Sequence, residues 1–140
     1  AEPSLVFLQN HGVFVAADQP EDIRRLYGLV LERLGQRYEQ AGVADEPAVG
    51  KAPDAAQTAA VREVVGRVSG EDNARHIEAD GAFDVAEGPL SPDHIVYHKS
   101  YPLVGEPTVE NVARFVAERG YSPRVVAWPG FGVFGLGLSP

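Results

Sequence analysis

Residues 4–17, SLVFLQNHGVFVAA, constrain the fold more than any other stretch of the chain. Leu5–Leu8 and Val13–Ala17 are apolar runs too short for helices, and Gln9-Asn10-His11-Gly12 interrupts them. Val and Phe enrichment bounded by Asn and Gly predicts two short strands joined by a tight turn or bulge. Gly12 can take a positive φ at little cost, and Asn10 tolerates one better than most residues. In Asp18-Gln-Pro-Glu21, Asp18 is the expected N-cap acceptor, Glu21 holds the capping-box position and Pro20 suits a first turn. Ile23, Leu26, Tyr27, Val30, Leu34 and Tyr38 then recur at helical spacing, with Arg24, Arg25, Glu32, Arg33 and Gln36 mostly on the other face. That pattern predicts a helix over 19–41, stopped by Gly42.

Residues 44–54, ADEPAVGKAPD, carry Pro, Gly and charge without periodicity and read as a loop. Asp54 is placed to cap a second helix over 55–68, with Val61, Val64, Val65 and Val68 on its apolar side and Gly70 at its end. Between Glu71 and Gly88 the pattern fades; Ala74–Ile77 and Ala82–Ala86 fit short helical turns or strands alike. Ile95-Val96-Tyr97, after the Pro-rich turn at Pro89–Pro92, reads as a strand. Thr108 is the expected cap of a helix over 108–119 built on Val109, Val112, Phe115 and Val116 and closed by Gly120. Arg124–Trp128 reads as a strand, and Phe131–Leu138 alternates Gly with Phe, Val and Leu. Strands alternating with helices give an α/β expectation.

Composition removes several function classes. Twelve Lys and Arg stand against 20 Asp and Glu, for a formal charge of -8. With no Lys/Arg cluster there is no surface of the kind that binds nucleic acid. No run approaches the roughly 20 apolar residues of a membrane-spanning helix. The absence of Cys excludes disulfides, thiolate metal sites and cysteine nucleophiles. The sequence also lacks Met, and residues 1–8 show neither a basic leader region nor a small-residue cleavage site. The expectation is a chain that begins inside a longer protein, with processing after an initiator Met as the alternative.

Three constellations could carry chemistry. A His at the end of a buried strand beside a Gly turn can project its imidazole into a cleft, which singles out His11; the plainer role is a surface or hydrogen-bonded histidine. One His does not hold Zn²⁺, since a catalytic site takes about three protein ligands and an open position. In Asp93-His94-Ile-Val-Tyr-His98-Lys99, a helix would bring His94 and His98 onto one face, where they could chelate. A strand would hold them about 13 Å apart. The strand reading of 95–97 therefore disfavours chelation and leaves Asp93 to make a turn bond while His98 and Lys99 face solvent. Gly130-Phe-Gly132-Val-Phe-Gly135 matches G-x-G-x-x-G literally, but a dinucleotide site needs a helix opening at the last Gly. Val133, Phe134 and Leu136 continue a strand-like texture, so a glycine-bent strand pair is expected instead.

The stretch LVFLQNHGVFVAADQPEDIRRLYGLVLERL, residues 5–34, resembles the later part of a class II aldolase/adducin-family domain. In that family a buried strand ends in Asn-His-Gly, and a second apolar strand and an acidic-capped helix follow. SPDHIVYHKSYPL (91–103) and RVVAWPGFGVFGLG (124–137) resemble the region after the aldolase fold in a rhamnulose-phosphate-aldolase-like subgroup. The resemblance implies an α/β protein in three parts. These are a partial aldolase-like domain (strand-strand-helix) over 1–43, a helical and loop connection over 44–88, and a small α/β extension over 89–140. It implies that His11 is one of three His ligands of a divalent metal, usually zinc. The other two would belong to an upstream His-x-His, with an upstream Glu as acid/base; the histidines here, at 11, 76, 94 and 98, form no His-x-His. The implied activity is metal-dependent retro-aldol cleavage of a sugar phosphate through a stabilised enediolate. Epimerase or dehydratase chemistry on the same scaffold and an adducin-like, non-catalytic interaction domain are the alternatives. Asn10, Gly12, Asp93, His94 and Lys99 are the residues expected at the substrate. The partner expected is a small sugar phosphate, with no nucleic acid or membrane, in a cytoplasmic homo-oligomer.

Overall fold

In the computed structural model, residues 4–9, 11–44, 46, 48–86 and 88–139 are described. The chain divides into two units, 1–47 and 48–140. Together they make a mixed α/β protein with four helices, a two-stranded sheet and a four-stranded mixed sheet.

The first unit begins with the expected hairpin. β1 (Leu5–Leu8) pairs antiparallel with β2 (Gly12–Val15), with Leu5 opposite Val15, Phe7 opposite Val13 and Leu8 opposite Gly12. The His11 N–H donates to the Leu8 carbonyl at 3.1 Å and closes the turn. Gly12 sits at φ 152°, a conformation that favours glycine. β2 starts one residue earlier than its apolar run and ends at Val15. Helix α1 (Pro20–Ala41) follows. Asp18 is not its cap. The helix opens at Pro20, so Gln19 takes the cap position without a side-chain bond, and Glu21 and Asp22 supply the negative charge that the first turn favours. Gly42, at φ 66°, ends α1, with Val43 N–H bonded back to the Tyr38 carbonyl at 3.0 Å.

The second unit starts with α2 (Ala55–Ser69) under a complete capping box. The Asp54 carboxylate accepts from the Gln57 N–H at 2.8 Å, and Gln57 Oε1 accepts from the Asp54 N–H at 2.8 Å. A 3-10 turn (Glu71–Ala74) leads into β3 (His76–Asp80). Helix α3 (Pro92–His98), β4 (Leu103–Val104), α4 (Val109–Arg119), β5 (Val125–Trp128) and β6 (Gly132–Gly137) complete it. Thr108 caps α4 through its hydroxyl, and Gly120 closes it in the left-handed conformation.

The sheet order is β3-β6-β5-β4, antiparallel except for the parallel β4–β5 pair. The segments 44–88 and 89–140 thus share one sheet, the first supplying β3 and the second the other three strands. Ile77, Phe134, Leu136, Val126 and Leu103 lie on one face of it and join Val61, Val65, Val112 and Phe115 from α2 and α4 in the core. Two Gly positions hold a loop against the sheet: Gly50 N–H donates to the Ala82 carbonyl at 2.9 Å, and a Cβ on Gly81 would lie 1.8 Å from Gly50 O.

Residues 92–98 are helical where Ile95-Val96-Tyr97 suggested a strand. The start signal decides it. Ser91 Oγ accepts from the His94 N–H at 3.2 Å, Pro92 occupies the first turn with its φ already fixed, and Asp93 complements the helix dipole. β-branched residues lower helix propensity by only tenths of a kcal/mol each, roughly, less than a good cap contributes.

Candidate functional site

Three places in the fold bring together the residues that the sequence marks. At the hairpin tip, His11 is exposed, its ring stacked on Phe14 with centroids 6.0 Å apart and planes at 26°. Gly12 beside it is exposed, with nothing within 4 Å of where a Cβ would stand. Asn10 lies outside the described residues. Among the described residues no three or more His, Cys, Asp or Glu side chains gather as a metal would need. One imidazole supplies one of about three ligands, so the described residues do not by themselves fit a metal centre.

The second place is α3. Its helical form brings His94 and His98 onto one face, with ring centroids 5.7 Å apart and edge to face at 89°. The strand geometry that would have separated them is absent. Leu90 N–H donates to His94 Nδ1 at 3.4 Å, which turns that nitrogen toward the helix start. The pair still has no third ligand among the described residues. Asp93 sits in the first turn of α3, exposed.

The third place follows from the register of β3 on β6. His76 pairs with Gly137 and Glu78 with Gly135 on the sheet face away from α2 and α4. Gly135 leaves that face open, Ser139 O stands 3.3 Å from where a Cβ on Gly137 would be, and the last turn of α3 borders the gap. A cavity of about 590 Å³ results, lined by His76, Glu78, His98, Lys99, Arg124 and Ser139 among others. It is open to solvent on one side.

The charge there runs against that of the chain. Among the described lining residues Lys99 and Arg124 stand against one carboxylate, and the side chain of Glu78 is 82% exposed. Among the described residues neither Lys99 nor Arg124 forms an ion pair. The buried His76 Nε2 is 3.0 Å from Glu78 Oε1 yet off the direction of a hydrogen bond, so it has proximity without a directed partner. A contact misaligned in this way loses most of its strength.

Lys99 is also strained. It is the one non-glycine residue with positive φ among those described, at φ 65° and ψ 178°. That region is essentially confined to glycine and costs a side-chain-bearing residue of order 1–3 kcal/mol. Its neighbours enforce the conformation: Lys99 N–H donates to the Ile95 carbonyl at 3.2 Å, and Tyr101 N–H donates to the Tyr121 hydroxyl at 3.1 Å. Arg119 further holds Tyr101, its guanidinium 4.1 Å from the ring centroid.

Of the residues expected at a substrate, only Lys99 lines this cavity; His94 and Asp93 do not. His76, Glu78 and Arg124 were not singled out by the sequence. Alternation of Gly135 and Gly137 with Phe134 and Leu136 does signal a strand with one bare face, but which strand covers it is a matter of long-range pairing. No protein-family model matches the chain, and no curated protein or solved structure matches it either.

Proposed function

We propose that the chain belongs to a metal-dependent lyase of the class II aldolase type, acting on a sugar phosphate, in which His11 presents one imidazole to the metal. The observation that carries this reading is the order of the first unit. A strand, a turn bearing His11, a second apolar strand and a helix follow one another in the order that the resemblance over 5–34 implies, although β1 is exposed here rather than buried. The hairpin is apolar on both faces, with Leu5, Phe7, Val13 and Val15 on one and Val6, Leu8 and Phe14 on the other. Strands apolar on both sides suit a sheet covered on both sides, which would put His11 at the rim of a larger site. The remaining ligands would come from outside the described residues.

His11→Ala in the full-length protein that contains this chain tests the reading. Aldehyde release from a ketose 1-phosphate is expected to be abolished, while the melting temperature stays within a degree or two because the ring is exposed. Metal affinity is expected to fall by more than the roughly 10–100-fold that loss of an outer-shell partner costs. Unchanged turnover removes His11 from the chemistry and moves the scaffold to a non-catalytic interaction role. The 140-residue chain alone should bind Zn²⁺ weakly in calorimetry; tight one-to-one binding would contradict the single-ligand role.

A further inference from the structure

We infer that the cavity between the last turn of α3 and the bare β3–β6 face is a binding site for a phosphate group borne by a small molecule. It lies wholly within the second unit and is independent of the metal reading. Four observations converge on it. Lys99 and Arg124, a flexible ammonium and a planar guanidinium, reach one cavity from different elements, and neither is neutralised by an ion pair among the described residues. Together they can meet a dianion from two sides, the guanidinium with paired N–H donors. His76 also lines it, with its Nε2 3.0 Å from Glu78 Oε1. Gly135 opens the floor, so a ligand can approach the backbone there.

The fourth is the strain at Lys99. Glycine would fit φ 65° and ψ 178° without strain, so a lysine there costs stability. Such strain gathers at ligand sites, and Lys99 lines this one. A monocarboxylate would use one of the two cations and leave the other unmatched. A phosphate dianion matches both, even with Glu78 at the rim.

The test is titration of the 140-residue chain with inorganic phosphate, read by calorimetry and by the amide shifts of Gly135 and Gly137. Saturable binding with shifts clustered at those two glycines is expected. Lys99→Gly and Arg124→Gln should each weaken it by about tenfold or more, as loss of a charge-assisted bond does. Glu78→Gln should tighten it by removing the one carboxylate among the described lining residues. Gly135→Val should block it from the floor; a Cβ there meets only Glu78 O, at 3.9 Å, and a melting curve checks that the variant folds. Acetate should bind at least tenfold more weakly than phosphate. The proposal is overturned if native chain shows no saturable phosphate binding, if the shifts lie elsewhere, if acetate binds equally well, or if Lys99→Gly and Gly135→Val bind as the native chain does. Lys99 is exposed, so its variant remains informative even if Arg124→Gln fails to fold.

Discussion

The two units use similar proportions of apolar sequence to different ends. In residues 1–47 Val30 is the only buried hydrophobic among those described, whereas Leu31 on the same helix is 68% exposed and Phe7 in the hairpin 62%. In residues 48–140 the apolar side chains of α2 and α4 meet the sheet, and Val61, Val65, Val112, Val126 and Phe134 are fully buried. The second unit closes its own core; the first displays one. Helical spacing and strand alternation therefore identify which residues are apolar together, but not whether their cover lies within the same unit. A single helix against a two-stranded hairpin has too few layers to bury both faces of either element.

Three substitutions sharpen or break that contrast. Phe134→Ala should have the largest effect, about 3–5 kcal/mol by calorimetric unfolding, because it empties a fully enclosed site where β5 and β6 meet. A loss below about 1 kcal/mol would mean that the second unit is no better packed than the first. Lys99→Gly should come next and with the opposite sign. Relief of about 1–3 kcal/mol of strain, less about 0.4–1 kcal/mol for the added freedom of the unfolded chain, leaves a net gain near 1 kcal/mol. A fall in melting temperature would show that the backbone at Lys99 is not strained. Leu31→Ser should change the stability of this chain by no more than about 0.5 kcal/mol. A larger loss would reveal that α1 has apolar cover after all.

Much of the architecture could be read from local signals. Asp54 with Gln57, Thr108, Gly42 and Gly120 marked helix ends to within a residue or two because caps act through hydrogen bonds between near neighbours. α3 was misread because Ile95-Val96-Tyr97 has strand-like composition, while Ser91, Pro92 and Asp93 set the backbone before those residues are reached. β4 has two residues and no pattern of its own; it exists because Leu103 and Val104 lie beside Val126 and Ala127. The basic cavity was hidden for a related reason. His76 and Gly137 are neighbours only through the pairing of β3 with β6, and Arg124 reaches them only because β5 runs alongside. The sequence marks His98, Lys99 and Gly135 separately but not their meeting, and no propensity scale would assign the conformation of Lys99 to lysine.

The β5–β6 hairpin has a further consequence. Trp128, the single tryptophan of the chain, stacks on Phe131 across the turn, with centroids 4.3 Å apart and planes at 25°. Ultraviolet emission excited at the red edge of protein absorbance thus comes from one indole, in the second unit, with no label added. It will follow the opening of that unit and stay blind to events confined to the hairpin of His11, so that pairing it with far-ultraviolet dichroism, which sees both, separates the two units in one melting experiment.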